Sequence, residues 1–417
     1  MEKFEKIKYP LIGFDEIYYN NINDNPKIIT EMYYHPDYFT LANGILPWII
    51  LMRNRQLNEK GNYELEIHEL LKGRINRKVI NQIDNPGLFS GIAGILYTLS
   101  ISANDKRYDN LIQGILPYLE KKTYNKIKQC YINKIKKKVN DYDYDYDLIS
   151  GLSGILKCYI NSSVRKYVHN SEIIHETAQC LQSYFNYNDF RNIEDLPFYI
   201  EKEKNKYKPT KNGLINFSHS HGIMGILNAL NQYYEIFEKK ETKKVIEKIC
   251  EFVINFYSES SYSWLKKFYS GNKKIYDSPN YTWCYGDLIM TQTFYKSAKH
   301  IENKSYINIS NKFFDNLKDK YELLPSPSIC HGKSGVLLQL LNFKQFNMSE
   351  LSDIYFEKLM DDYDDNNIYK FRDCEEYRGR RYYIDKNNFL TGSLGIYFVI
   401  DLYFGLKDHV KLSDLIM

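Results

Sequence analysis

The sequence predicts an all-α protein: an α/α toroid of seven repeated helix pairs, forming an inner and an outer ring. Short β hairpins are expected in the longer connections, and one domain over residues 1–417. Three observations carry that expectation. Helix breakers are few, with 11 prolines and 21 glycines in 417 residues. The glycines share a frame: SGIAGIL from 90, SGLSGIL from 150, HGIMGIL from 221, HGKSGVL from 331 and TGSLGIY from 391, with weaker copies NGILPWI from 43 and YGDLIMT from 285. The runs behind them, such as GILYTLSI and GVLLQLL, are apolar nearly all round, as helices buried on their sides are.

Aligned on the first glycine, the frame reads Gly44, Gly91, Gly151, Gly222, Gly286, Gly332 and Gly392, with neighbours 46 to 71 residues apart. Each interval has room for an inner helix, a connection and an outer helix, which makes the repeat a supersecondary unit. Glycines three apart clear one helical face for close approach by a neighbouring helix or loop. An outer helix is legible in VIEKICEFVINFY, where Val245, Ile249, Phe252, Val253 and Phe256 recur at three or four. Inner helices that all run the same way close most simply into a ring. The two longest intervals contain LPFYIEKEKNKYKP and YSWLKKFYSGNKKIYDSPNY, which read as short strands over loops. The acidic runs DYDYDYD (141–147) and DDYDDNN (361–367) read as solvated loops.

Composition excludes several classes. A formal charge of +4 from 56 basic and 52 acidic residues leaves no nucleic-acid footprint. The basic run at 126–140 reads as a solvated helix face. The N-terminus lacks the apolar core of a signal peptide. The most apolar stretch, NGILPWIILM, falls well short of the roughly 20 residues that span a bilayer. A soluble cytoplasmic protein is expected. Seven scattered cysteines argue against a disulfide framework and for reduced thiols.

The chemistry lies just ahead of the frame glycines. Gly332-Lys333-Ser334 is not a P-loop, because Pro327 stands where that motif needs glycine. Two positions before the glycine stand Cys284 and Cys330 in successive repeats. One position before it stand His221, Tyr285 and His331. Equivalent positions of a closed ring lie at one height, so Cys284, Cys330 and His331 are expected to converge as a Cys₂His site. Three protein ligands suit tetrahedral zinc with its fourth position open. Nearby helix N-termini favour the thiolates. Considered alone, His221 fits a structural or a catalytic role equally. His219 is off the frame and reads as structural. The other five cysteines fall at positions without partners and read as inert core. Zinc held by two thiolates suits activation of a substrate thiol better than hydrolysis.

These motifs together, SHSHGIMG with His221, Trp283-Cys284-Tyr285-Gly286 and Cys330-His331-Gly332 in that order, resemble the lanthionine synthetase C-like cyclases, in particular the stand-alone cyclases of class I lanthipeptide systems. The resemblance covers almost the whole chain. It implies an α/α toroid with one Zn²⁺ on Cys284, Cys330 and His331. It implies Michael addition of precursor-peptide cysteines to dehydroalanine or dehydrobutyrine, giving thioether rings. It also implies His221 as the proton-transfer residue, Asp147 as its orienting or charge-balancing partner, and Tyr285 lining the substrate site. Trp283 reads as packing. The implied partners are the dehydrated precursor peptide, a dehydratase and an ABC exporter, met at the inner face of the cell membrane. One departure stands out: relatives usually carry arginine where this chain has Asn280, and Lys273, Lys274 or the Arg378–Arg381 loop are candidate replacements. Two alternatives share most of the signal: a glutathione-adding relative, and a zinc-stabilised peptide-binding scaffold with weak catalysis.

Overall fold

The computed structural model describes residues 39–417 except 43, 103–104, 136–144, 187–191, 201–212, 272–273, 275, 277–278, 320–323 and 378. In chain order its helices are α1 (Leu46–Leu57), α2 (Glu64–Leu71), α3 (Arg77–Gln82), α4 (Ile92–Ile101), α5 (Asp109–Ile135), α6 (Leu152–Ile160), α7 (Ser162–Arg165), α8 (Glu172–Gln182), α9 (Ile223–Phe237), α10 (Lys240–Val253), α11 (Asp287–His300), α12 (Lys304–Asp319), α13 (Lys333–Asn342), α14 (Ser349–Met360), α15 (Ser393–Tyr403) and α16 (Leu412–Ile416). Each frame glycine stands immediately ahead of a helix, or two residues ahead in the case of Gly44 and α1.

The frame helices are buried on every side along most of their length. All nine residues of α6 are buried, as their apolar composition requires. The longer helices behind the frame helices are amphipathic instead. In α10 the buried residues Val245, Ile246, Ile249, Cys250, Phe252 and Val253 form one stripe, and the helix gives way to a 3₁₀ turn at Ile254–Phe256.

The chain divides into two compact units. The first comprises the described residues of Met1–Ile83, Ile101–Arg107 and Leu323–Ser413. Within it α13 packs on α14 and α15, and α15 packs on α1. A buried ion pair ties α1 to α15: Arg55 Nε donates to Asp401 Oδ2 at 2.8 Å and Arg55 Nη2 to Asp401 Oδ1 at 3.0 Å. The unit also carries the hairpin β6 (Arg372–Tyr377) and β7 (Arg380–Asp385), so Arg380 and Arg381 open a strand rather than a loop.

The second unit comprises Asp84–Ser100, Tyr108–Glu322 and Asp414–Met417. There α6, α9 and α11 pack in succession, with α8, α10 and α12 behind them. The strands expected in the long connections are present as the antiparallel sheet β1 (Tyr199–Ile200), β2 (Leu214–Asn216) and β5 (Lys267–Tyr269), and as the pair β3 (Tyr257–Ser258) and β4 (Ser263–Trp264). The acidic run at 141–147 is not wholly solvated: residues 141–144 lie outside the described part, but Tyr146 and Asp147 are buried.

The frame loops bond to one another through backbone. In the second unit Phe89 N–H donates to the Ile149 carbonyl at 3.0 Å, Leu148 to Ser220 at 3.0 Å and Ser220 to Cys284 at 3.2 Å. In the first, Cys330 donates to Leu390 at 2.8 Å and Phe389 to Ala42 at 3.2 Å. Within each unit, then, equivalent frame positions stand side by side. Of the two partners expected for the glycines, helix or loop, the nearest is a loop. A Cβ on Gly335 would lie 1.9 Å from the Ile329 carbonyl oxygen, and one on Gly332 would lie 2.3 Å from that of Ser326. The chain's own incoming loop folds over the first turn of the helix it starts.

His219 is structural, as expected. It is fully buried, its Nε2 lies 3.1 Å from the Ile416 carbonyl, and its ring meets Trp283 edge-on at 5.5 Å. Burial, reinforced by Lys157, pulls its pKa down to about 3.

Two outcomes follow for stability. Gly335→Ala should lower the unfolding temperature by several degrees, while Gly114→Ala in α5, where a Cβ meets nothing, should raise it slightly; equal shifts in calorimetry would contradict the close-approach argument. The unfolded chain protonates His219 near pH 6.5, whereas the folded chain resists until about pH 3. Its contribution to stability is therefore complete above pH 6.5 and falls by roughly 1.4 kcal/mol per pH unit as pH drops through that window. Urea titrations of His219→Gln should show a correspondingly flatter pH dependence.

Candidate functional site

Asp147 ends the acidic run where the chain turns into the frame ahead of α6. One carboxylate oxygen accepts the Ser150 N–H at 2.7 Å, as in an Asx turn, and the other lies 2.8 Å from His221 Nδ1. Asp147 is fully buried, whereas the His221 side chain is about one-third exposed. With Nδ1–H donated to the carboxylate, Nε2 is the ring nitrogen available to exchange a proton. His221 is itself fixed from behind, where its backbone N–H reaches the Ser218 hydroxyl at 3.2 Å.

The neighbouring frame loop brings Cys284 and Tyr285 to the same face. Ser220 donates both its backbone N–H and its hydroxyl to the Cys284 carbonyl, each at 3.2 Å. The Tyr285 ring lies 6.4 Å from that of His221. Trp283 faces the other way, fully buried, with Nε1 donating to the Ile416 carbonyl at 2.9 Å. So the second unit gathers Asp147, His221, Cys284 and Tyr285 on adjoining loops.

The turn holding Cys284 is braced by a carboxylate the sequence reading missed. Asp287 is fully buried at the start of α11. It accepts the Asn280 N–H at 2.7 Å, the Trp264 N–H at 2.6 Å and the Lys266 ammonium. Burial raises its pKa even against the opposing charge of Lys266. The adjacent Lys267 places its ammonium 5.2 Å from the centre of the Tyr285 ring. Among the described residues, the cations at this turn are Lys266 and Lys267, from the strand connection. Lys274 is instead bonded to the Asn255 carbonyl at 2.7 Å, and Lys273 and Arg378 lie outside the described residues.

In the first unit, Cys330 and His331 stand where the loop meets α13, both partly exposed. A second missed residue stands behind the imidazole. Asp373, buried on β6, lies 3.0 Å from His331 Nε2 and also accepts from Ser326 Oγ at 2.8 Å and Lys386 Nζ at 3.1 Å. Burial pushes the Asp373 carboxyl up, but His331, Ser326 and Lys386 together outweigh it and hold the pKa at about 2. A carboxylate fixing one ring nitrogen is the usual support of a histidine that binds metal through the other. Lys333 pairs with Asp362, in keeping with the rejected nucleotide motif.

Among the described residues no three His, Cys, Asp or Glu side chains stand together as a ready metal cluster. The donor chemistry nevertheless fits zinc. Of the seven cysteines, Cys284 and Cys330 are the two that are not buried. The other five are buried in the core, as expected.

Known proteins share this architecture. The nisin biosynthesis protein NisC of Lactococcus lactis subsp. lactis is 24% identical over 354 residues, spanning 78% of this chain and 80% of that protein. The solved structure of a nisin cyclase aligns over 95% of this chain and 98% of its own, with a TM-score of 0.71 at 19% identity. That likeness shows the fold, the mainly helical α/α toroid class read from the frame glycines. The profile of the lanthionine synthetase C-like proteins matches residues 35–410, and the chain belongs to that family.

Proposed function

We propose that the chain is a zinc-dependent cyclase that closes thioether rings in a precursor peptide whose serines and threonines have been dehydrated. Family membership and likeness to NisC support the reaction class. The observation that carries the reading is the buried Asp147 behind the partly exposed His221, on loops bonded to the one bearing Cys284.

Cys284, Cys330 and His331 are the residues that would hold the zinc, with Asp373 keeping His331 oriented. When bound, zinc lowers the pKa of a substrate thiol while leaving the sulfur electron-rich enough to attack. The chain's own residues supply the proton chemistry. Sulfur adds to the β-carbon of the dehydroamino acid as its S–H proton passes to His221 Nε2, and the double-bond electrons move towards the carbonyl. A proton delivered from His221 Nε2 to the α-carbon completes the addition, so one S–H and one C=C become one S–C and one C–H. Asp147 holds the imidazole in the tautomer that leaves Nε2 facing the reaction and stabilises its charged form. Tyr285 walls the same face, and Lys267 adds positive charge beside it.

The dehydratase and the exporter implied by the family would supply this peptide and remove its product at the inner membrane face. Among the described residues no helix is long and apolar enough to cross a membrane.

Elemental analysis should find about one zinc per chain, mostly lost in Cys330→Ala and held about 10- to 100-fold more weakly in Asp373→Asn. A folded wild type without zinc would end the thiol-activation argument. His221→Ala should keep its zinc and lose ring formation by about 10²- to 10⁴-fold, measured by mass spectrometry after thiol alkylation of a dehydrated peptide. Unimpaired cyclisation in that variant would remove the assigned proton transfer. Faster addition of free glutathione than of the peptide's own cysteine would favour the glutathione-adding alternative.

A further inference from the structure

The second unit includes one segment that is remote in sequence from its frame loops, Asp414–Met417. Leu415 and Ile416 are fully buried and Met417 nearly so. One oxygen of this segment is held twice. The Ile416 carbonyl lies 3.1 Å from His219 Nε2 and accepts Trp283 Nε1–H at 2.9 Å. A carbonyl can only accept, so His219 carries its hydrogen on Nε2, and both lone pairs of the oxygen are used. His219 stands two residues before His221, on the loop entering α9. Trp283 stands one residue before Cys284, on the loop entering α11. A single backbone oxygen, 197 residues from one donor and 133 from the other, therefore joins the loop of the assigned proton-transfer residue to that of an assigned zinc ligand.

The segment has its own anchors on α9. Gln232 Nε2 donates to the Asp414 carbonyl at 2.7 Å, and Asn228 Nδ2 donates to the Met417 carbonyl at 2.7 Å. Asn228 is buried and in turn accepts the Lys157 ammonium of α6. All four bonds go to main-chain carbonyls, so it is the course of the backbone that His219, Trp283 and α9 recognise. Ser220 already joins the same two loops at the Cys284 carbonyl. One tie leaves a pivot; the second, at Ile416, removes it. Without the segment, two fully buried N–H groups would lose their acceptor, a cost that the loops can escape only by shifting.

We propose that Asp414–Met417 is a positioning element for ring closure, its Ile416 carbonyl fixing the loop of His221 against the loop of Cys284. Being fully buried, His219 and Trp283 act through the residues that follow them and not on the peptide. Proton transfer requires the imidazole to stay in register with the sulfur that attacks, and a displacement of about 1 Å can cost about 100-fold in rate. The kinetic part of the proposal rests on the cyclase reading. Its geometric part, the coupling of two loops through one carbonyl, is readable without any reaction.

The test compares the full chain with one stopped after Ser413, both zinc-loaded, using ring closure in a dehydrated peptide and amide hydrogen exchange over residues 218–222 and 282–286. The stopped chain should keep its KM, lose kcat by about 10- to 100-fold and exchange faster in both loops together. In the full chain, Trp283→Phe and His219→Leu each remove one donor and should lower kcat, while His219→Gln, which keeps an N–H, should retain more of it. In the stopped chain the same substitutions should change nothing further, because their acceptor is gone. Losses that simply add, or wild-type kcat and exchange in the stopped chain, would overturn the proposal. Should that chain fail to fold, Gln232→Ala loosens the segment from a partly exposed position outside both loops. It should lower kcat and speed exchange in both loops at unchanged KM and zinc content; no change in either would likewise overturn the proposal. A wild type that closes no rings would count against the cyclase reading alone, and the exchange of the two loops would then decide.

Discussion

The backbone bonds between successive frame loops are the constraint on which the rest depends. Each links equivalent positions two or three residues ahead of the frame glycine, so a side chain placed there inherits the height of its neighbours. The glycines make this possible, because any Cβ would strike the loop that must fold over the helix start. A frame position is thus a coordinate as much as a residue. Chemistry can be assembled on it without any helix being specially bent or broken.

A second pattern runs through the site. Three buried aspartates each stand behind a more exposed functional position: Asp147 behind His221, Asp373 behind His331, and Asp287 behind the turn of Cys284 and Tyr285. Each gains several hydrogen bonds that offset the cost of burying a carboxylate. Rigidity passes from these anchors to the exposed groups, which leaves little rotamer freedom to be lost when substrate arrives.

How much of this was legible depended on whether a residue lay on the frame. The frame glycines gave the helix starts, the burial of the runs behind them, and the shared loops of His221, Cys284 and Tyr285. They also gave the neighbourhood of Cys330 and His331. Asp147 needed the family resemblance, because in the sequence it is one acid in an alternating run. Asp373 was invisible for a different reason. It lies 42 residues from His331 on a hairpin strand, among other acids, and only the fold shows which of them turns inward. Lys266 was hidden in the same way, since contacts between elements off the frame carry no periodic signature. The glycine pairs were read correctly as marks of close approach by a helix or a loop, and the partner found nearest is the chain's own incoming loop.

The ion pair between Arg55 and Asp401 bears on how the chain is born. Its partners are 346 residues apart, and both are buried in a unit assembled from segments on either side of the other unit's sequence. At about 5–20 residues per second, roughly 20–70 s separate the synthesis of Arg55 from that of Asp401. Throughout that interval neither Asp401 nor the apolar cover of α15 is yet there for α1 to meet. The second unit is nearly continuous in sequence and has almost all of its parts much sooner. The first helix described is therefore among the last to find its place, and a nascent chain spends most of its synthesis with that segment in need of shelter.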